Sequence, residues 1–151
     1  MGETLDDIDR ILVRQLVSDG RATLAELAAS AGLSVSAVQS RVRRLESRGV
    51  VTGYSARVDP EAVGHFLSAF VAITPLDPSQ PDDAPARLEH IHEVESCHSV
   101  AGEESYVLLV RVVSARALED LPQRIRATAN VRTRSTIILN TKHHHFEHFL
   151  Q

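Results

Sequence analysis

The sequence predicts an α+β chain in which three short helices precede a strand–helix–strand–strand–helix–strand alternation. Three observations predict it. Apolar residues recur at helical spacing near the start of the chain. Strand-length apolar runs alternate with helical patterns after about residue 65. The 151 residues, 43% apolar and 24% charged, have an ordinary globular composition with room for one domain or two small ones.

The first helix is read from Leu5, Ile8, Ile11, Leu12 and Leu16, with Asp6, Asp7 and Asp9 suiting its positive end. It should stop at Asp19-Gly20, with Gly20 in the left-handed conformation. Thr23-Leu24-Ala25-Glu26 is a capping-box pattern. The short helix it opens carries Leu24, Leu27, Ala28 and Ala31 on one side and ends at Gly32. Ser34 then caps a third helix that runs to about Arg48 and ends at Gly49. The tight Ala31-Gly32-Leu33-Ser34 connection makes the last two a helix-turn-helix.

At about 100° per residue, Val38, Val42 and Leu45 share one side of the third helix. Ser36, Ser40 and Arg43 lie opposite, flanked by Ala37 and Arg44. Short side chains let a helix approach the floor of a DNA groove, and Arg reaches bases or phosphates. The candidate DNA contacts are Ser34, Ser36, Ala37, Gln39, Ser40, Arg43 and Arg44. Arg41 falls beside the buried stripe and is expected to pair with an acid of its own domain. A solvated basic face is the bland alternative.

Residues 50–64 read as a short strand and a connection: Val51, Thr52, Tyr54 and Val58 favour strand, and Asp59-Pro60 a turn. A nine-residue apolar run, Phe66 to Thr74, gives the next strand, followed by a loop from Pro75 to Pro81. A helix is expected at about Asp83–His92, with Pro85 in its first turn. Strands follow at about Val94–Ala101 and Ser105–Val113, joined by Gly102-Glu103-Glu104. A helix over about Ala115–Ala129 aligns Leu118, Leu121 and Ile125, with a kink or late start at Pro122, and a last strand covers about Val131–Thr141. This βαββαβ order gives a ferredoxin-like antiparallel sheet with both helices on one face. Phe66–Ile73 and Ser105–Val113 are apolar on both faces, so the uncovered face should be buried in a homodimer. A dimer also supplies two recognition helices to a two-fold site on double-stranded DNA.

The expected layout is therefore a helix-turn-helix domain over 1–50, a strand and linker over 51–64, a ferredoxin-like domain over 65–142 and a His-rich tail over 143–151.

These residues resemble the Lrp/AsnC (feast/famine) transcriptional regulators. The matching stretches include Leu5-Asp6-Asp7-Ile8-Asp9, Asp19-Gly20-Arg21-Ala22-Thr23-Leu24-Ala25-Glu26-Leu27-Ala28 and Gly32-Leu33-Ser34. They continue through Val38, Arg41, Arg44-Leu45-Glu46, Gly49-Val50-Val51 and Gly53-Tyr54-Ser55-Ala56 to Cys97, Val100-Ala101-Gly102 and Ser105-Tyr106. The resemblance covers about residues 5–141 and looks most like an actinobacterial member, which fifteen Arg against one Lys fit.

The resemblance implies DNA binding by the helix-turn-helix and dimerisation through the ferredoxin-like domain. It implies dimers that commonly assemble into octamers, and an amino-acid effector held between dimers. Carried over by position, the effector residues are Val100, Gly102, Glu103, Glu104, Ser105 and Tyr106, with Thr133, Ser135, Thr136 and Ile137. Many relatives carry Asp where this chain has Ser105, so Glu103 or Glu104 is the candidate acceptor for the effector's ammonium. Loop N–H groups would donate to its carboxylate. A solvated hairpin turn is the alternative for 102–104, and Tyr106 fits the core equally well.

Other classes recede. Residues 1–60 carry eight basic and eight acidic side chains and 61–151 eight and twelve, so Arg41, Arg43, Arg44 and Arg48 form a local basic patch in a chain of net charge −4. No run approaches the roughly 18 apolar residues a membrane helix needs, and the acidic start does not suit a secretory signal. With a single Cys97, expected to be packed, disulfides and Cys-based zinc sites are excluded and the cytosol is the default location. His143-His144-His145 with His148 reads as a solvated or appended tail outside the resemblance rather than a metal site. His65, His90, His92 and His98 read as surface or satisfied interior groups. No nucleophile–base set, phosphate loop or paired carboxylates are present, so neither an enzyme nor a cofactor is expected. An architectural DNA-organising protein without a ligand and a protein-binding sensing module are the alternatives to a gated regulator.

Overall fold

The computed structural model describes residues 4–79 and 81–143. The chain divides into two compact units, one within Met1–Arg57 and the other Val58–Lys142.

The first unit holds α1 (Asp7–Ser18), α2 (Leu24–Ala31) and α3 (Val35–Ser47). Each start is fixed by a side chain that accepts an otherwise unpaired backbone N–H. Asp6 accepts from Asp9 N at 2.7 Å. Thr23 and Glu26 form the full capping box. Ser34 accepts from Ala37 N at 3.3 Å. Gly32, with φ +65, makes the left-handed turn between α2 and α3. The end of α1 departs from expectation, because Gly20 is not left-handed. Instead Asp19 Oδ1 accepts from Arg21 N at 2.8 Å and Asp19 O from Ala22 N at 3.1 Å, so an aspartate turn stops the helix. Leu12, Leu27, Val38 and Leu45 form a core with at most 2% exposure each.

The second unit opens with a single 3₁₀ turn at Glu61–Val63. The strand expected within 50–64 does not form; those residues have no sheet neighbour to complete a ladder. Then come β1 (Leu67–Pro75), α4 (Ala84–Leu88), β2 (Val94–Ser99), β3 (Tyr106–Val112), α5 (Ala115–Ala129) and β4 (Val131–Ile138). The sheet is antiparallel with order β2-β3-β1-β4, the ferredoxin-like arrangement. The helix α4 is shorter than expected. Turns closed by Ile91 N on Leu88 O and Val94 N on Ile91 O replace its last part, yet keep Ile91 buried. At α5, Ser114 caps Ala117 N and the helix runs through Pro122, so no late start occurs.

Ala69, Val71 and Ile73 of β1 and Leu108, Val110 and Val112 of β3 pack against Leu88, Leu121 and Ile125. The register places Phe70 opposite Leu109 and Thr136, and Ala72 opposite Val107 and Arg134, on the other face. No helix covers that face among the described residues, and Phe70 is 46% exposed on it.

Candidate nucleic-acid interface and ligand site

The α3 face is built by its buried stripe. Val38, Val42 and Leu45 hold the helix in the core. That leaves Ser36, Gln39, Ser40 and Arg43 exposed and Ala37 half-buried. Ser34 is exposed at the helix start, and its hydroxyl meets that of Ser36 at 3.2 Å.

The arginines of this helix differ in their partners. Arg41 Nη1 donates to Asp6 Oδ2 at 2.6 Å and to Asp9 Oδ1 at 2.8 Å, the acid pairing its place in the sequence suggested. Arg44, assigned to the DNA-facing set, spends Nη2 on Asp9 Oδ2 at 2.8 Å, although half of its side chain remains exposed. The two acids are three residues apart on α1's start, as the two arginines are on α3. That matched spacing is the sequence signal for the pairing of Asp9, whose place in the first turn of α1 also suits the helix dipole. The Arg41 hydrogen bond, with the Asp9 N–H, holds the Asp6 carboxyl below its ordinary value, and Arg41 is raised in turn. Arg48 is also engaged. Arg43 is exposed and makes no hydrogen bond or ion pair among the described residues.

In the second unit, the loop after β2 and the strand β4 meet at one end of the sheet. Ser105 N donates to Ile73 O and Val100 N to Ser105 O, each at 3.1 Å, which fixes the loop on β1. Glu104 is ion-paired with Arg134 of β4. Glu103 and Gly102 stand exposed. Tyr106 packs against the core, and its hydroxyl donates to Asp82 Oδ2 at 2.6 Å, which raises the phenol's pKa. Asp82 lies 24 residues away in sequence, and nothing local marks it as a partner. It lines a cavity of about 210 Å³ with Asp77, Asp83, Arg87 and Asn130. The β4 residues do not share one face. Thr133, Ser135 and Ile137 stand opposite Ile73, Val71 and Ala69 on the helix-bearing side, whereas Thr136 lies opposite Phe70 on the open side.

Two smaller expectations change. Cys97 is exposed, because β2 is an edge strand, and partial burial pushes its thiol up rather than activating it. His65 is not a satisfied interior group: its Nδ1 is buried with no hydrogen-bond partner among the described residues. His144, His145 and His148 lie outside the described residues.

An AsnC-type helix-turn-helix domain matches residues 5–46, and a Lrp/AsnC ligand binding domain matches residues 68–147. The chain belongs to the Lrp/AsnC family. The Lrp/AsnC match runs through His143-His144-His145, so the resemblance extends beyond residue 141. The HTH-type transcriptional regulator LrpA of Mycobacterium tuberculosis is 88% identical over 141 residues, 93% of this chain and 94% of that protein. A feast or famine regulatory protein from M. tuberculosis, solved in complex with L-methionine, superposes with a TM-score of 0.91 at 86% identity, covering 93% of this chain and 96% of that one. A transcriptional regulator of Neisseria meningitidis in an L-Met complex gives a TM-score of 0.85 at 27% identity, covering 95% and 96%. As a Lrp/AsnC member the chain is a transcriptional regulator and not an enzyme, with the helix-turn-helix and ligand-binding domains in the order the sequence predicts.

Proposed function

We propose that this regulator binds specific sites on double-stranded DNA and that an amino acid bound between its dimers alters its assembly or its DNA affinity. The observation that carries the reading is the α3 face. It presents small and polar side chains with an uncommitted Arg43 on a helix whose other side is locked into a core. Such a face fits the major groove, with Ser34, Ser36, Ala37, Gln39, Ser40 and Arg43 within reach of DNA and Arg44 at the flank. The working domain layout is 1–50 for DNA, 51–64 as connection and 65–142 for dimerisation and sensing, in the cytoplasm where the DNA lies.

The open sheet face supports dimerisation. Phe70 is 46% exposed beside Leu109, Val107 and Ala72, an apolar surface that a two-fold partner would bury. Dimers of this kind would build the higher assembly, taken here as an octamer. The L-methionine complexes of two relatives make methionine the first effector to try. In this chain Glu104 is committed to Arg134, so Glu103 is the loop acid left to accept an effector's ammonium.

Sedimentation of the full chain, alone and with each common amino acid, tests this reading. The expected result is a dimer or a multiple of it whose distribution methionine or a related apolar amino acid shifts. A monomer at micromolar concentration, or an assembly that no amino acid alters, contradicts it.

A further inference from the structure

The basic patch on α3 is less uniform than its sequence. Arg41, Arg43, Arg44 and Arg48 fall within eight residues. Arg41 is held by Asp6 and Asp9, Arg44 by Asp9, and Arg48 is engaged. Asp6, Asp9, Arg41 and Arg44 together carry no net charge, so the paired arginines add little to the field a phosphate would feel.

Arg43 stands apart. Side chains on a helix lean toward its start and over the residues three and four positions earlier. For Arg43 those are Ser40 and Gln39, both exposed and uncharged. Ser40 is small enough to leave the guanidinium's path open. One acid lies within a turn of Arg43, Glu46, and its Oε1 accepts instead from the Tyr54 hydroxyl at 2.8 Å. The guanidinium therefore keeps all five of its donors, in the planar fork that matches two acceptors side by side. In the major groove that pair of acceptors is O6 and N7 of guanine.

We propose that Arg43 is the specificity-determining residue of the DNA site, reading one guanine per half-site, and that Arg44 is a strut fixed by Asp9. The inference rests on the DNA-binding reading above and assigns base discrimination within it.

Selection of sites from random-sequence DNA by the full chain tests it, with Arg43→Ala and Arg44→Ala in parallel. The wild type should enrich a two-fold motif with a guanine at one position of each half. Arg43→Ala should lose discrimination at that position, on the order of ten- to a hundredfold, and keep the others. Arg44→Ala should keep the guanine while weakening binding to all sequences alike. Retention of the guanine by Arg43→Ala, or its loss in Arg44→Ala, overturns the assignment. Should Arg43→Ala enrich no site, 7-deazaguanine decides. Placed at that position of the wild-type site, it removes N7 and should cost the wild type about tenfold, since N7 is half of the bidentate contact. Full wild-type affinity for that DNA overturns the assignment. A wild type that enriches no motif refutes the sequence-specific reading itself, and this inference with it.

Discussion

Arg44 donates from Nη2 to Oδ2 of Asp9 at 2.8 Å, onto a side chain that is only 2% exposed. The other oxygen of Asp9 takes Arg41. One carboxylate thereby ties α3 to the start of α1. Replacement of Asp9 by Ala leaves Arg41 with Asp6 but strips Arg44 of its carboxylate partner. Both arginines retain access to water, which limits the loss to about 1.5–3 kcal/mol, the scale of hydrogen bonds to charged groups. Hydrogen exchange should show faster opening of α1 and α3 in Asp9→Ala and little change in β1 or β3. Unchanged protection in α3 would show that the network adds nothing.

The same network makes the helical unit sensitive to acid. The folded value for Asp6 lies below its ordinary 3.8, chiefly because of Arg41 and then the Asp9 N–H. A carboxyl depressed by folding contributes stability that is complete above its unfolded value and is lost as pH falls through its folded one. Glu26, held low by Thr23, acts in the same direction. Helicity followed by circular dichroism should therefore fall as pH drops below about 3.8, and Asp6→Asn should flatten that part of the curve. Superposable curves for the two proteins would exclude Asp6 as a source of the acid transition.

Gly32 separates backbone strain from crowding. Its φ is +65, yet a Cβ placed there meets nothing within 4 Å. Gly32→Ala should cost about 1 kcal/mol through the left-handed conformation alone. Thermal unfolding of the variant checks this. An unaltered midpoint would mean that the turn between α2 and α3 relaxes to another conformation.

Phe70 tests the open face of the sheet. Replacement by Glu puts a charge where a partner is expected to pack, and leaves the helix-side core of Ala69 and Val71 untouched. Light scattering should find the variant monomeric, with its circular dichroism spectrum preserved. A folded Phe70→Glu dimer would place the interface elsewhere.

The sequence made local devices readable and long-range ones obscure. The Thr23–Glu26 capping box and the Ser34 cap lie within one helical turn, so their chemistry is visible in four residues. The βαββαβ order was legible because buried strands and amphipathic helices differ in period. The left-handed stop expected at Gly20 does not form because Asp19, one residue earlier, supplies a side-chain turn that competes with it. The strand expected near Val51–Val58 does not form because β propensity needs a neighbouring strand to express itself. In projection Arg44 flanks the exposed face that carries Arg43; only the fold brings Asp9, 35 residues away, onto Arg44. Glu104 and Tyr106 likewise gained their partners, Arg134 and Asp82, through topology rather than spacing.

The most direct measurement is fluorescence anisotropy of DNA from upstream of the protein's own gene, titrated with the full chain at physiological salt, with and without L-methionine. A sequence-specific, effector-gated regulator should show saturable binding at concentrations where random-sequence DNA stays free, and a clear shift of the curve when methionine is added. Equal affinity for both DNAs, with no response to methionine or any other amino acid, would contradict it and point to a DNA-organising protein instead.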